Sequence, residues 1–167
     1  GSSLKKEYRN ELTEAGIAFE EGQHTEDLIL NADEVMKSPG IPEKAELVKK
    51  IRAAGIAVIS EVELAYRFKG ESKIIAITGS NGKTTTTALT YHICREAGLD
   101  AALVGNIGES FAKQVALDPR PLYVVEVSSF QLDDCKEFRP DVAILTNITE
   151  DHLDRYEYKF ENYIRSK

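Results

Sequence analysis

The run Thr78-Gly79-Ser80-Asn81-Gly82-Lys83-Thr84-Thr85 constrains this chain more than any other, because of what flanks it. Ile74 to Thr78 reads as a short buried strand, and Lys83 to Ala97 as a helix stopped by Gly98. A glycine loop at a strand-to-helix junction is built to hold an anion. Gly79 and Gly82 let the backbone turn tightly, so that successive N–H groups converge on phosphate oxygens. The helix behind adds the positive end of its dipole. The expected phosphate-holding residues are Gly79, Ser80, Asn81, Gly82, Lys83, Thr84, Thr85 and Thr86. Lys83 would reach the β- and γ-phosphates, and the Thr84 hydroxyl would bind magnesium. Ile77 stands where a strict phosphate loop has its first glycine, which argues against a generic GTPase or kinase. Threonine is a mediocre helix former, so four of them at 84–87 imply hydroxyls placed for another purpose.

Further apolar runs follow at Ala101–Val104, Leu122–Val127 and Val142–Thr146. A helix near Glu109–Leu117 and a break at Pro119-Arg120-Pro121 separate them. Continuous apolar strands alternating with helices predict an α/β fold with a parallel sheet covered on both faces. The earlier part is less regular. Leu4–Gly16 has helical periodicity, and Ile17-Ala18-Phe19 starts an extended piece. Ser38-Pro39-Gly40-Ile41-Pro42 is a rigid turn, since proline fixes its own φ and disfavours helix before it. Pro42–Ala54 reads as a helix with Leu47, Val48 and Ile51 on one face and Gly55 as its stop, and Ile56–Ser60 as a strand. Lys69-Gly70-Glu71-Ser72 is the candidate linker, dividing 4–70 from 71–167. Gly1-Ser2-Ser3 resembles a tag remnant.

Ligands of open parallel sheets bind beyond the carboxyl ends of the strands. Those ends carry Gly105-Asn106-Ile107-Gly108, then Glu126 with Ser128, Ser129, Phe130 and Gln131, then Asn147 through Arg155. Glu126 interrupts an apolar strand, where an unpaired carboxylate is costly. It needs either a magnesium ion or a lysine or backbone partner. His152 lies between Asp151 and Asp154, which suits a metal ligand as well as a hydrogen-bonded surface histidine. Cys94, His92 and His24 carry no pattern.

With 42% hydrophobic residues the chain can bury a core, and it has no apolar run long enough to span a membrane and no signal-peptide pattern. A net charge of −7 without a basic stripe argues against nucleic acid. Two cysteines, Cys94 and Cys135, fit neither zinc nor a disulfide framework, so a cytoplasmic, reducing setting is expected.

Together these motifs resemble the Mur ligase family, whose phosphate loop runs T-G-[ST]-N-G-K-[ST]. Val127-Ser128-Ser129-Phe130-Gln131-Leu132 is similar to the run in members that add D-glutamate. Ser38-Pro39-Gly40-Ile41, Gly105-Asn106-Ile107-Gly108 and Thr149 to Tyr156 follow in the family's order. The resemblance implies a partial Rossmann-like N-terminal domain that binds the UDP end of the substrate. The front half of a phosphate-loop, parallel-sheet ATP-binding domain would follow it. It implies an ATP- and magnesium-dependent ligase of peptidoglycan precursor synthesis, with UDP-N-acetylmuramoyl-L-alanine and D-glutamate as substrates, acting as a monomer. Carried over, Thr84 and Glu126 would bind one magnesium and His152 a second. Asn106, Ser128, Ser38 and Gly40 would contact the nucleotide substrate. Lys83, His152 and Lys167 would be catalytic, Lys167 as a carbamate that also meets metal. The first strands of the UDP domain and everything after Lys167 in the family would lie outside this stretch, which alone would not ligate. At the last position Lys167 is expected to be frayed and unmodified, its ammonium favoured by the adjacent terminal carboxylate. A folylpolyglutamate-type ligase, a phosphate-loop switch or ATPase, and a non-catalytic nucleotide-binding module are the competing readings.

Overall fold

The computed structural model describes residues 3–167, so Gly1 and Ser2 of the expected tag remnant lie outside the described residues. After helix α1 (Lys6–Glu14) and the short α2 (Glu26–Leu30), strands β1 (Glu34–Met36) and β2 (Ala57–Ile59) pair in parallel, Val35 opposite Val58. Helix α3 (Glu46–Ala53) makes the crossover and buries Val48 and Ile51. It begins four residues later than the sequence suggests, because Pro42 to Ala45 form a turn closed by Ala45 N–H on the Pro42 carbonyl at 3.0 Å. The helix ends as expected at Gly55, whose φ of 73° suits a residue without Cβ. The extended piece expected at 17–19 forms no strand. Ile17 and Phe19 have no ladder to join and stay exposed.

The second sheet has the order β4 (Ala101–Gly105), β5 (Leu122–Glu126), β3 (Lys73–Thr78), β6 (Val142–Leu145), all parallel. Helix α6 (Phe111–Leu117) and helix α4 (Glu61–Phe68) cover one face, packing Phe111, Val62 and Ala65 on Ile74, Val104, Tyr123 and Val125. Helix α5 (Lys83–Glu96) covers the other over Ile77, Ala101 and Val124, with Cys94 in that core. The short α7 (Ser129–Leu132), a 3-10 turn at Leu153–Arg155 and α8 (Phe160–Ser166) complete the unit. Coverage on both faces holds for the central strands and fails for β6. That strand pairs only with β3 and leaves Val142 and Leu145 50% and 51% exposed.

Helix α4 precedes Lys69–Ser72 in sequence yet belongs by packing to the four-stranded sheet. A buried carboxylate ties it there. Glu63 is fully buried and accepts hydrogen bonds from three successive backbone amides, Lys136, Glu137 and Phe138, at 3.0–3.1 Å. Burial alone raises its pKa, but those amides, with Arg67 beside it, outweigh burial and hold it below the usual carboxylate value of 4.5.

A depressed folded pKa contributes stability that is present above pH 4.5 and is lost as the pH falls through the folded value. Glu63→Gln should therefore cost about 2–3 kcal/mol at neutral pH, as hydrogen bonds to a charged acceptor do. In urea melts, its deficit against the unmodified chain should shrink steadily below pH 4.5. A deficit that is small and independent of pH would contradict this account.

Candidate active site

Gly82 caps α5 in the left-handed conformation, φ 79°, with no side chain on the helix end. The first intrahelical bond of that turn is Thr86 N–H to the Gly82 carbonyl. The amides of Lys83, Thr84 and Thr85 therefore have no partner within the helix and face whatever ligand enters. The loop is braced from behind by the segment after β6. Ser80 Oγ donates to the Thr149 carbonyl at 2.8 Å, accepts from Thr149 N–H at 2.9 Å, and lies 2.9 Å from the Tyr163 hydroxyl. Asn81 N–H donates to Asn147 Oδ1, while Asn147 Nδ2 and Thr146 Oγ1 donate to the Asn81 carbonyl. Gly79 is required for this fit: at φ 142°, a Cβ there would sit 2.0 Å from Thr146 Oγ1.

The threonine run divides by position. Thr84 and Thr85 are exposed at the loop, Thr86 is half-buried, and Thr87 is buried with its hydroxyl on the Lys83 carbonyl at 2.8 Å. Lys83 folds back, donating to the carbonyls of Gly79 and Ser80 at 2.8 and 2.9 Å.

Beside the loop, the β3–β5 register sets Glu126 opposite Ile77. Glu126 is 1% exposed; Asn106 Nδ2 donates to its Oε1 at 2.8 Å, and its Oε2 has no hydrogen-bond partner. Gly105 makes this approach possible, since a Cβ there would meet the Glu126 carbonyl at 2.4 Å. No group of three or more His, Cys, Asp or Glu side chains gathers to hold a metal among the described residues.

Six of the expected site residues line one cavity of about 320 Å³: Lys83, Asn106, Ser128, Gly40, His152 and Lys167. Ser38 does not line it. It is exposed, and its carbonyl closes the turn by accepting Ile41 N–H at 3.0 Å. Nor do Thr84 and Glu126; Glu126 reaches the wall only through Asn106. His152 is exposed, with φ 50°, its Nε2 3.6 Å from Asp151 Oδ2 and its ring 5.1 Å from Phe130. The Ser128 hydroxyl caps α7 in a reciprocal capping box with Gln131.

Lys167 overturns the expectation of a frayed end. Its amine is half-buried, donating to Thr78 Oγ1 at 2.8 Å and to the Gly79 carbonyl at 3.0 Å. Burial, and then the Lys83 ammonium, lower its pKa from 10.5 to about 8, opposite to the direction expected from a neighbouring carboxylate. α8 carries the residue back over the loop, where burial and Lys83 lower the pKa by more than Asp151, Asp133 and Glu126 raise it.

The sequence profile of the Mur ligase middle domain matches residues 77–167, and that of the MurD N-terminal domain residues 1–47. The chain belongs to the Mur ligase family. Relatives named UDP-N-acetylmuramoylalanine--D-glutamate ligase are 58% identical over 167 residues in Cytophaga hutchinsonii and 55% identical over 166 in Bacteroides fragilis. Each alignment takes in 99% of this chain, which spans 37% of the length of those relatives. Among solved Mur ligases, the UDP-N-acetylmuramate:L-alanyl-gamma-D-glutamyl-meso-diaminopimelate ligase from Neisseria meningitides superposes with TM-score 0.54 at 21% identity. The UDP-N-acetylmuramate-alanine ligase from Thermotoga maritima gives 0.52 at 23%. Both cover 99% of this chain, and 59% and 39% of their own. At that identity they show the fold.

Two residues shape this candidate site without having been assigned a role from the sequence: Tyr163, outside every motif, and Arg155, named only within the strand-end group. Tyr163 holds Ser80, and Arg155 lies 4.3 Å over the Phe130 ring while donating to the Pro39 carbonyl. Only the aromatic-and-cation density of 152–163 could have signalled them. Two outcomes follow for the loop. By NMR of its Nζ or attached carbons, Lys167 should titrate near 8, and Lys83→Met should move that titration upward by removing the adjacent charge. A Lys167 titration near 10.5 in the unmodified chain would mean that the amine sits in water.

Proposed function

We propose that this chain is part of an ATP-dependent ligase that joins D-glutamate to UDP-N-acetylmuramoyl-L-alanine. Residues 4–70 would serve the uridine diphosphate end and residues 71–167 the ATP phosphates. The observation that carries the reading is the single cavity in which the phosphate-loop lysine, Lys83, shares walls with Asn106, Ser128 and Gly40. Such a site would suit a phosphate donor held against a second substrate. The names of relatives above 50% identity support the choice of that substrate.

The reaction asks mainly for positioning and charge neutralisation. A carboxylate oxygen of the alanyl end attacks the γ-phosphorus of ATP, the new O–P bond forms, and the bond to ADP breaks. The amine of D-glutamate then attacks the acyl carbon, the C–N bond forms, inorganic phosphate leaves, and one proton is released. The amides of Lys83, Thr84 and Thr85 receive phosphate oxygens, with Gly79 to Thr86 forming the cradle. Lys83 leaves its two loop carbonyls to neutralise the charge that builds on the transferred group. Asn106 and Ser128 orient the nucleotide substrate, and the Ser38–Gly40 turn lies toward its diphosphate.

The orphaned Oε2 of buried Glu126, beside the loop, fits a magnesium ion shared with the Thr84 hydroxyl. His152 and Lys167, which line the same cavity, would hold a second, with Lys167 as a carbamate formed when its neutral amine adds CO2 and releases a proton. Magnesium would supply neutralisation of phosphate charge. A lysine titrating near 8 has neutral amine available for that addition at physiological pH. No helix among the described residues is long and apolar enough to cross a membrane, and a cytoplasmic monomer is the setting proposed.

Lys83→Ala in the full-length enzyme should lower ligation by on the order of 10²–10³, as loss of a positioned charge donor does. Its circular dichroism should be unchanged. Near-normal ligation, or ATP hydrolysis that ignores D-glutamate, would overturn the reading. Calorimetry gives a second check. Glu126→Gln should weaken nucleotide binding in magnesium more than in its absence, and equal losses would make Glu126 a structural group.

A further inference from the structure

Two buried charges lie outside the cavity, and the reaction above uses neither. Lys37, directly before the Ser38–Gly40 turn, is 6% exposed, and Asp134, just beyond α7, is 3% exposed. Lys37 Nζ lies 3.0 Å from Asp134 Oδ2 and 3.2 Å from Glu43 Oε1, and donates to the Ile41 carbonyl at 3.2 Å. The other Asp134 oxygen accepts from Arg52 of α3, and the Asp134 carbonyl accepts Ser60 N–H at 2.9 Å. One residue from the Ser128 segment therefore grips the first unit at three points.

Burying such a pair is a poor route to stability, because apolar residues of similar volume often do as well or better. What the pair adds is direction. Lys37 holds the Ile41 carbonyl with the same ammonium that meets Asp134, so the position of Asp134 is transmitted to the turn. Arg155 holds the opposite side through the Pro39 carbonyl at 3.0 Å while it lies over Phe130. Pro39 and Gly40 form one wall of the cavity, and Ser128 to Phe130 another.

We infer that Asp134 is a positioning residue. Through Lys37 it fixes the Pro39–Gly40 turn against the Ser128–Phe130 wall, and so sets the width of the cavity for the nucleotide-linked substrate. The substrate part of this inference rests on the proposed ligase reading; the positional part does not.

Two variants of the full-length enzyme test it. Asp134→Asn keeps size and removes charge; Lys37→Met with Asp134→Leu replaces the pair by apolar side chains. Hydrogen exchange reads the turn without reference to activity. The Ile41 amide, bonded to the Ser38 carbonyl, should exchange roughly tenfold faster in both variants, while core amides of β5 stay protected. Kinetics reads the cavity. KM for UDP-N-acetylmuramoyl-L-alanine should rise roughly tenfold with kcat within about twofold, the pattern of lost uniform binding. KM for ATP should hold, and the double variant should melt close to the unmodified enzyme. If Asp134→Asn fails to fold, the double variant decides alone. Unchanged Ile41 exchange would overturn the inference, and so would unchanged KM alongside a lowered melting temperature. Faster Ile41 exchange in an enzyme whose unmodified form does not ligate would leave the positioning role standing and remove the ligase reading instead.

Discussion

Everything at the candidate site depends on the glycine loop of 79–82 being held from behind rather than from within. A loop whose N–H groups converge on an anion cannot use them to stabilise itself, so its geometry must be imposed by a neighbour. Thr146, Asn147 and Thr149 do this by taking the Ser80 hydroxyl and the Asn81 amide and carbonyl. The contact is close enough that only glycine fits at position 79. β6 therefore has a purpose that its exposed side chains hide. It delivers the brace in register, with Thr78 opposite Leu145.

The same parallel pairing explains the awkward carboxylate. Register places Glu126 beside Ile77 at the end of β5, where a core residue would be cheaper. Asn106 satisfies one oxygen and leaves the other unpaired, and Gly105 removes the side chain that would keep the two strands' ends apart. Gly105 at the end of β4, Asn106 just after it and Glu126 at the end of β5 thus hold one oxygen in a costly state. That is the signature of a group kept for a ligand, and it sits one strand away from the loop.

Legibility in the sequence followed periodicity and local chemistry. The four strands of 71–167 and the helices α5 and α6 were readable, because buried parallel strands are continuous apolar runs and α5 carries its own glycine boundaries, whereas α7, the 3-10 turn and α8 were not read. The loop and the strand-end groups were readable because their backbone demands select residue type. What was not readable depends on long-range geometry. α4 has an ordinary amphipathic pattern, and nothing in it says which sheet it covers. Glu63 looks like a surface acid until three amides from 136–138 enclose it. The late start of α3 and the unpaired 17–19 segment follow from a proline turn and the lack of an adjacent strand edge. The proline turn was read but not its extension to Ala45, and the missing strand edge does not show in a local window. Lys167 was misjudged because chain position was weighed and the return of α8 was not.

That misjudged lysine exposes how the loop balances its charges. Lys83 and Lys167 both donate to the Gly79 carbonyl, at 2.8 and 3.0 Å, so two ammonium groups share one neutral acceptor. Like charges this close repel, and that repulsion adds to burial, the larger cause, in lowering the pKa of Lys167 to about 8. Asp151 lines the cavity, and together with Asp133 and Glu126 it offsets part of that repulsion. A phosphate entering between the helix amides and Lys83 would exchange a neutral carbonyl contact for a charge-assisted one and relieve the repulsion together. The loop is therefore braced in backbone and unsatisfied in charge. That combination would let an anion bind without first rearranging the chain that holds it.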